Sequence, residues 1–468
     1  MDLATPHPGP TGLRPARAWR AEIVATLRIA APLALTQLGQ IAITTTDILV
    51  LGHLGARELA AASLGNALYW PCFLFGMGLA SATSPLVAQA LGAHRPRDAR
   101  RAAQQGLIAA FLIALPLLLV LVNVGRILVA IGQDAGLAAD AQRFVNLLAL
   151  GLPFAIGFIA LRSFTTAFGR TRPVLLVTLL AVALNALLNW LLVFGHLGFP
   201  KLGLVGSGTA SAITNVVMFA VLLLIAVSER PFRRYAILSR LSRPDPAMLG
   251  QTFRLGLPIA ISVLLETGMF SASTLLMGRL GAVEVAAHQI TLQICSVTFM
   301  VPLGIGLAAT IRVAHARGAG DLIAARRAGV VAAALGLAFM ALAALAFWIA
   351  PRPLVGLFVR ADDPLGPAVI ALAASFLLIG ALFQLADGLQ VIAISALRGL
   401  RDTTVPMLVS GVGYWLVGFM TSWWLGLHTA WRGQGIWTGL AVALTVVGLV
   451  LGRRFLRLTR QPGGLPGG

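Results

Sequence analysis

Twelve apolar runs of about bilayer-spanning length follow one another along this 468-residue chain, at residues 27–51, 59–90, 104–124, 142–167, 173–195, 203–227, 252–277, 285–311, 328–350, 368–397, 404–427 and 434–452. A hydrocarbon core about 30 Å thick is crossed by roughly 20 residues of α-helix, whereas a barrel strand needs only about ten. Inside that core every backbone polar group must be bonded within the protein, so runs of this length select helices. With 58% hydrophobic and 11% charged residues, the chain lies outside the range of soluble domains. The expected fold is an all-α polytopic membrane protein with twelve transmembrane helices.

The formal net charge of +19 would suit a nucleic-acid partner if it were spread at random, but it is not. The arginines gather in alternate loops: Arg14 to Arg28, Arg95 to Arg101, Arg170 and Arg172, the segment 228–254, Arg312 to Arg327, Arg398 and Arg401, and the tail from Arg453 to Arg460. These places hold 26 of the 35 basic residues, and of the other nine Arg162 alone lies in the interior of a span. The positive-inside rule puts that side in the cytoplasm. Both termini are therefore expected to be cytoplasmic, in the plasma (inner) membrane, and no nucleic acid is needed. The N-terminus carries Pro6, Pro8 and Pro10 rather than an apolar core with a cleavage site, which argues against a removable signal peptide. The basic stretch from Arg14 to Arg28, with Trp19, reads equally as an interfacial helix or as a solvated tail that sets topology. Cys72 and Cys295 fall within spans and read as small core residues rather than as a disulfide or a metal site.

The chain is also written twice. From Leu27 to Arg101 it aligns without a gap on Phe253 to Arg327, at an offset of 226, pairing Pro32 with Pro258, Gly52 with Gly278, Gly55 with Gly281, Gly78 with Gly304 and Gly92 with Gly318. Six spans per copy make the repeats parallel, related by an axis along the membrane normal, so two six-helix lobes are expected to face each other across a cavity. The expected division is a cytoplasmic segment 1–26, an N-lobe 27–227, a basic linker 228–251, a C-lobe 252–452 and a tail 453–468.

Of the sixteen acidic residues, three lie within spans: Asp47, Glu266 and Asp387. A carboxylate at the centre of a spanning helix costs roughly 2.5 to 3.5 kcal/mol on insertion scales and is usually turned to a cavity or a partner. Each of the three also admits a plain reading as a satisfied core polar group. Gln37, Gln40, Thr44 and Asp47 draw one polar stripe along the first span, while Asn185 and Asn189, at i and i+4, share a face of the fifth. Those amides suit either a cation or the Asp47 carboxylate. Glu266 has Phe270 one turn on, and an acid beside an aromatic face suits an organic cation, although phenylalanine at this spacing is more commonly core. Gln384 and Asp387 make a polar face in the tenth span. No intramembrane lysine accompanies these acids, which leaves Arg162 as the basic candidate. In the repeat Asp47 faces Ser273 and Glu266 faces Gln40: the copies share packing residues and not charge.

The repeat, "TTTDILVLGHLG" with Asp47, "LPIAISVLLETGMFSASTLLMGRLG" with Glu266, "AAHQI" at 286–290 and "LADGLQVIAISALRGLRDTTVP" with Asp387 together resemble the multidrug and toxic compound extrusion (MATE) family, in its NorM-like branch, over about residues 20 to 455. The resemblance implies two six-helix lobes in a V that export cationic amphiphilic drugs or dyes in exchange for Na⁺ or H⁺. It makes Asp47 with Asn189 the N-lobe cation site and Glu266 with Asp387 the C-lobe one, so that Asp47, Glu266 and Asp387 are the Na⁺ ligands if Na⁺ is the coupling ion. The loop "RGLRDT" reads as structural, with Asp402 capping the eleventh span. The residues alone lead to a similar reading, because a carboxylate in a low dielectric exchanges a proton for a cation. They leave Na⁺ and H⁺ both open.

A lipid-linked oligosaccharide flippase of the same superfamily is the nearest rival, but an anionic substrate calls for intramembrane basic residues. A membrane enzyme needs a nucleophile or a metal cluster, and no His/Asp or Cys/His arrangement provides one; His288 stands alone. The absence of a P-loop motif excludes direct ATP coupling through it. The chain is thus expected to be a carrier and not an enzyme, with no bound cofactor, acting as a monomer among membrane lipid on small cationic substrates.

Overall fold

The computed structural model describes residues 15–239, 245–359 and 364–460. Residues 1–14 of the expected N-terminal segment, 240–244 of the linker and 461–468 of the tail lie outside the described residues. Twelve long apolar helices occur where the runs predict them: α1 (Ala16–Leu54), α2 (Ala56–Gly92), α3 (Pro96–Leu121), α4 (Ala135–Ala167), α5 (Arg172–Phe194), α6 (Leu204–Ser228), α7 (Pro246–Leu280), α8 (Ala282–Gly318), α9 (Leu322–Ile349), α10 (Gly366–Gly399), α11 (Thr404–His428) and α12 (Arg432–Leu458). No strand occurs among the described residues. Several helices outrun their apolar stretches, α1 by about eleven residues. The sequence "AWRAEIVATLR" is rich in strong helix formers, so the helix continues where hydropathy stops.

The compact units do not coincide with the two sequence copies. One unit, the N-unit, runs from Thr36 to Ala260; the other, the C-unit, holds the described residues up to Leu35 and those from Ile261 on. The division therefore falls inside α1 and inside α7 rather than at the basic linker. Repeat alignment locates the copies along the chain, but which neighbours a half-helix packs against is a long-range matter that it does not encode.

Repeat-related residues seat these exchanged half-helices. In the N-unit, a Cβ placed on Gly78 of α2 would stand 2.5 Å from the Cα of Ala260 on α7; in the C-unit, one placed on Gly304 of α8 would stand 2.6 Å from the backbone N of Ala34 on α1. Ala34 and Ala260 are themselves 226 residues apart. Both contacts are too close for any side chain, which is why the repeat keeps glycine there. Gly55 and Gly281, another repeat pair, sit at φ 150° and 146° where α2 and α8 begin.

The start of each exchanged half-helix is also held by a carboxylate. In the C-unit, Arg312 of α8 donates from Nε at 2.8 Å and from Nη2 at 2.7 Å to the two oxygens of Glu22 on α1. Glu22 is only 3% exposed. In the N-unit, Arg101 of α3 donates through Nε at 2.6 Å to Asp245, the residue before α7, in a contact that its Nη2 shares. Burial alone would raise the Asp245 carboxyl, but the Met248 N–H and the Arg101 guanidinium outweigh it and hold the group below its ordinary value.

The core of the C-unit is built on large buried side chains, with Trp437, Tyr414, Phe376 and Phe383 within one cluster. Residues Val412–Phe419 of α11 form a π-helical stretch, which widens the turn that carries Tyr414. Cys72 and Cys295 are both buried and unpaired.

Candidate functional site

In the N-unit the polar stripe of α1 delivers Asp47 to a socket made by α5 and α6. Asp47 Oδ1 accepts a hydrogen bond of 2.8 Å from Asn189 Nδ2, and Oδ2 accepts one of 2.7 Å from Ser211 Oγ. Asn185, one turn before Asn189, accepts from Asn189 Nδ2 through its backbone oxygen at 3.0 Å, and donates at 3.4 Å to Ser211. Asn185 and Asn189 are fully buried and Ser211 is 9% exposed. Both oxygens of Asp47 are thus used as acceptors, the pattern of an ionised carboxylate; a protonated one must turn one oxygen into a donor. The Oδ1 of Asn189 is buried and has no hydrogen-bond partner.

The remainder of the stripe serves other partners. Gln37 accepts a 3.1 Å hydrogen bond from the buried Arg162 of α4, and the Gln40 backbone oxygen accepts one of 3.4 Å from Thr44. Arg162, the basic candidate for the acids, is held by Gln37. Gln40, expected to join the site, makes no hydrogen bond to Asp47.

In the C-unit Asp387 is 5% exposed on α10 and its Oδ1 has no hydrogen-bond partner. Glu266, half-buried on α7, interacts electrostatically with Asp387 and with Arg398. The sequence reading placed Arg398 in a loop; it belongs to the last turn of α10, because that helix continues past its apolar run to Gly399. It therefore replaces Arg162 as the basic neighbour of an intramembrane acid. Gln384, one turn before Asp387, donates to the Cys295 carbonyl at 3.4 Å and to Thr298 Oγ1, while its Oε1 has no partner. Gln390, one turn beyond Asp387, donates to the Tyr414 hydroxyl from the π-helical stretch. Phe270 meets Phe383 edge to face at 6.1 Å, the core arrangement rather than an open aromatic platform. His288 is buried, with Nε2 3.2 Å from Thr274 Oγ1 and its ring against Trp437.

The structure so joins Asp47 to Asn189 and through it to Asn185, and sets Glu266 within electrostatic reach of Asp387. Sequence reasoning missed Ser211, Arg398, Gln390 and Tyr414. A signal for the first was present: Ser207, Ser211 and Thr214 recur at i, i+4 and i+7 along α6. Among the described residues no group of three or more His, Cys, Asp or Glu side chains is placed to hold a metal ion.

Twelve apolar helices of spanning length, repeated as two copies of six in the sequence, define a multi-pass membrane protein. The MatE family model matches residues 32–191 and 258–424, two segments that begin 226 residues apart like the repeat itself. The chain belongs to the MatE family. Among its relatives, the probable multidrug resistance protein NorM of Mesorhizobium japonicum is 44% identical over 449 residues, covering 95% of this chain and 96% of that protein. That of Bradyrhizobium diazoefficiens is 44% identical over 461 residues, 98% of this chain and 99% of the relative. The multidrug resistance protein NorM of Burkholderia vietnamiensis is 40% identical over 435 residues, 92% and 93% of the two chains. Among solved structures, the eukaryotic MATE transporter AtDTX14 superposes with a TM-score of 0.84 at 25% identity, covering 94% of this chain and 98% of that one. An outward-facing MATE family transporter of the MOP superfamily gives 0.85 at 17% identity over 95% and 97%, a likeness of fold alone.

Proposed function

We propose that this protein is a secondary active multidrug efflux transporter of the plasma (inner) membrane, with both termini in the cytoplasm. It exports cationic amphiphilic compounds by antiport with H⁺ or Na⁺ through alternating access. The observation that carries the reading is the Asp47 socket: a carboxylate within a spanning helix, accepting one hydrogen bond from α5 and one from α6. Uptake of a proton removes one acceptor, so Ser211 or Asn189 must reorient; arrival of a cation engages the same oxygens, with the unpartnered Asn189 Oδ1 beside them as a further ligand. Either event changes how α1 is tied to α5 and α6, which is the local step an antiporter needs. In the C-unit the Glu266 and Asp387 pair supplies negative charge for an organic cation, and the unpartnered Asp387 Oδ1 supports that role. The NorM relatives are named as probable multidrug resistance proteins, which supports the export of drugs.

The test is movement of a cationic dye such as ethidium in proteoliposomes under an imposed pH gradient or an imposed Na⁺ gradient, each without the other. Dye movement driven by one of them supports the antiport reading and names the ion. No movement under either overturns it.

A further inference from the structure

At the arginine-rich end of the C-unit a groove of about 450 Å³ opens between the start of α11 and the end of α12. Its walls are apolar: Val405 and Val409, one turn apart on α11, face Val450 of α12. Its rim carries three arginines from the last two turns of α12. One of them, Arg454, is committed, donating from Nε at 2.6 Å to Asp402 in the loop before α11. Arg453 and Arg457 are exposed, and their side chains have neither a hydrogen bond nor an ion pair among the described residues. At i and i+4 on one helix they stand as neighbours on one face.

We infer that this groove binds an anionic glycerophospholipid, its phosphate between Arg453 and Arg457 and one acyl chain along Val405, Val409 and Val450. The order of the residues along α12 matches such a molecule. Val450 comes first, within the apolar span, and the free guanidinium groups follow at the end where the helix leaves it. Guanidinium groups bind phosphate oxygens through paired N–H donors. Basic pockets between spanning helices at the membrane surface are suited to anionic head groups. The apolar wall decides against a free anion, which would gain nothing from three valines. The internal ion pair of Arg454 with Asp402 uses the charge of that arginine, and the charges of Arg453 and Arg457 are left to the ligand. This inference concerns the outer surface of the C-unit and does not depend on what the carrier exports.

Native mass spectrometry of the detergent-purified full chain, titrated with dioleoylphosphatidylglycerol or dioleoylphosphatidylcholine at equal concentration, tests it. The wild type retains the anionic lipid in preference to the zwitterionic one. The double variant R453Q/R457Q lowers phosphatidylglycerol retention by about tenfold or more, the order expected for two arginines near a head group. V409W, which fills the apolar wall and keeps every charge, lowers it as well. R95Q/R97Q removes an equal charge from two exposed arginines at the start of α3 and leaves retention unchanged. Equal retention by wild type and R453Q/R457Q overturns the inference, as does equal loss in R95Q/R97Q, which would reduce the effect to overall charge. Full retention in V409W, or displacement of the lipid by millimolar inorganic phosphate, overturns the assignment to a lipid.

Discussion

Asp47 is hydrogen-bonded to Asn189 at 2.8 Å through one carboxylate oxygen and to Ser211 through the other, so a single side chain of α1 is tied at once to α5 and to α6. The arrangement offsets the cost of placing a carboxylate inside a spanning helix, and it makes the packing of that helix depend on the charge of the group. Ser211→Ala removes one donor and Asn189→Leu the other. Each hydrogen bond to an ionised group is worth about 1.5 to 3 kcal/mol, so either variant is expected to cut gradient-driven dye efflux by about tenfold or more at equal expression. Ser211→Thr, which keeps the hydroxyl, is expected to retain most of it. Initial efflux rates in everted vesicles compare the three.

In the C-unit, Glu266→Gln and Asp387→Asn are expected to give folded, membrane-inserted protein that no longer exports drug. Arg398→Ala leaves Glu266 without its basic neighbour and is expected to weaken export, with Arg398→Lys restoring part of it. Drug-resistance assays in cells, with expression checked by immunoblot, read the outcome. Wild-type resistance in both acid variants would make the two acids structural.

The twelve spans are legible because bilayer thickness imposes a length on every apolar run, and Asp47 with Asn185 and Asn189 is legible because helical spacing puts them on single faces. Ser211 escaped notice for a physical reason. In a stretch as rich in small residues as "GSGTASA", a hydroxyl reads as ordinary close packing between membrane helices. Arg398 was read as a loop residue because hydropathy falls at 397, whereas the helix itself runs to Gly399. The break of the compact units inside α1 and α7 left no local trace beyond the glycines that receive the exchanged halves, Gly78 and Gly304.

The bidentate pair of Glu22 with Arg312 is expected to fasten the first half of α1 to α8. Glu22→Ala leaves the partly exposed Arg312 unpaired, at a cost of about 2 kcal/mol once its exposure is allowed for. A lowered thermal midpoint of the detergent-purified protein, partly recovered in Glu22→Ala with Arg312→Ala, is the expected result. The Asp245 contact with Arg101 adds a pH dependence of known sign. Because the folded-state value is held low, its contribution is present above the ordinary carboxylate range and is lost as pH falls through the lowered value. Asp245→Asn is therefore expected to flatten the acid limb of a stability profile.

The arginine distribution predicts a cytoplasmic linker. A cysteine in place of the exposed Arg234 is expected to resist impermeant thiol reagents applied to intact cells and to react in everted vesicles, while the buried Cys72 and Cys295 contribute little background. Ready labelling from outside would reverse the topology.

Asp47→Asn holds the position permanently neutral while keeping its shape, and so isolates the charge of Asp47 from its packing. Dye affinity and gradient-driven efflux, measured side by side on the same purified variant across the pH range, test the central claim most directly. Efflux is expected to be abolished while dye binding persists to the extent that Glu266 and Asp387 hold the dye. Efflux at the wild-type rate across that range would contradict the account and remove Asp47 from the transport mechanism.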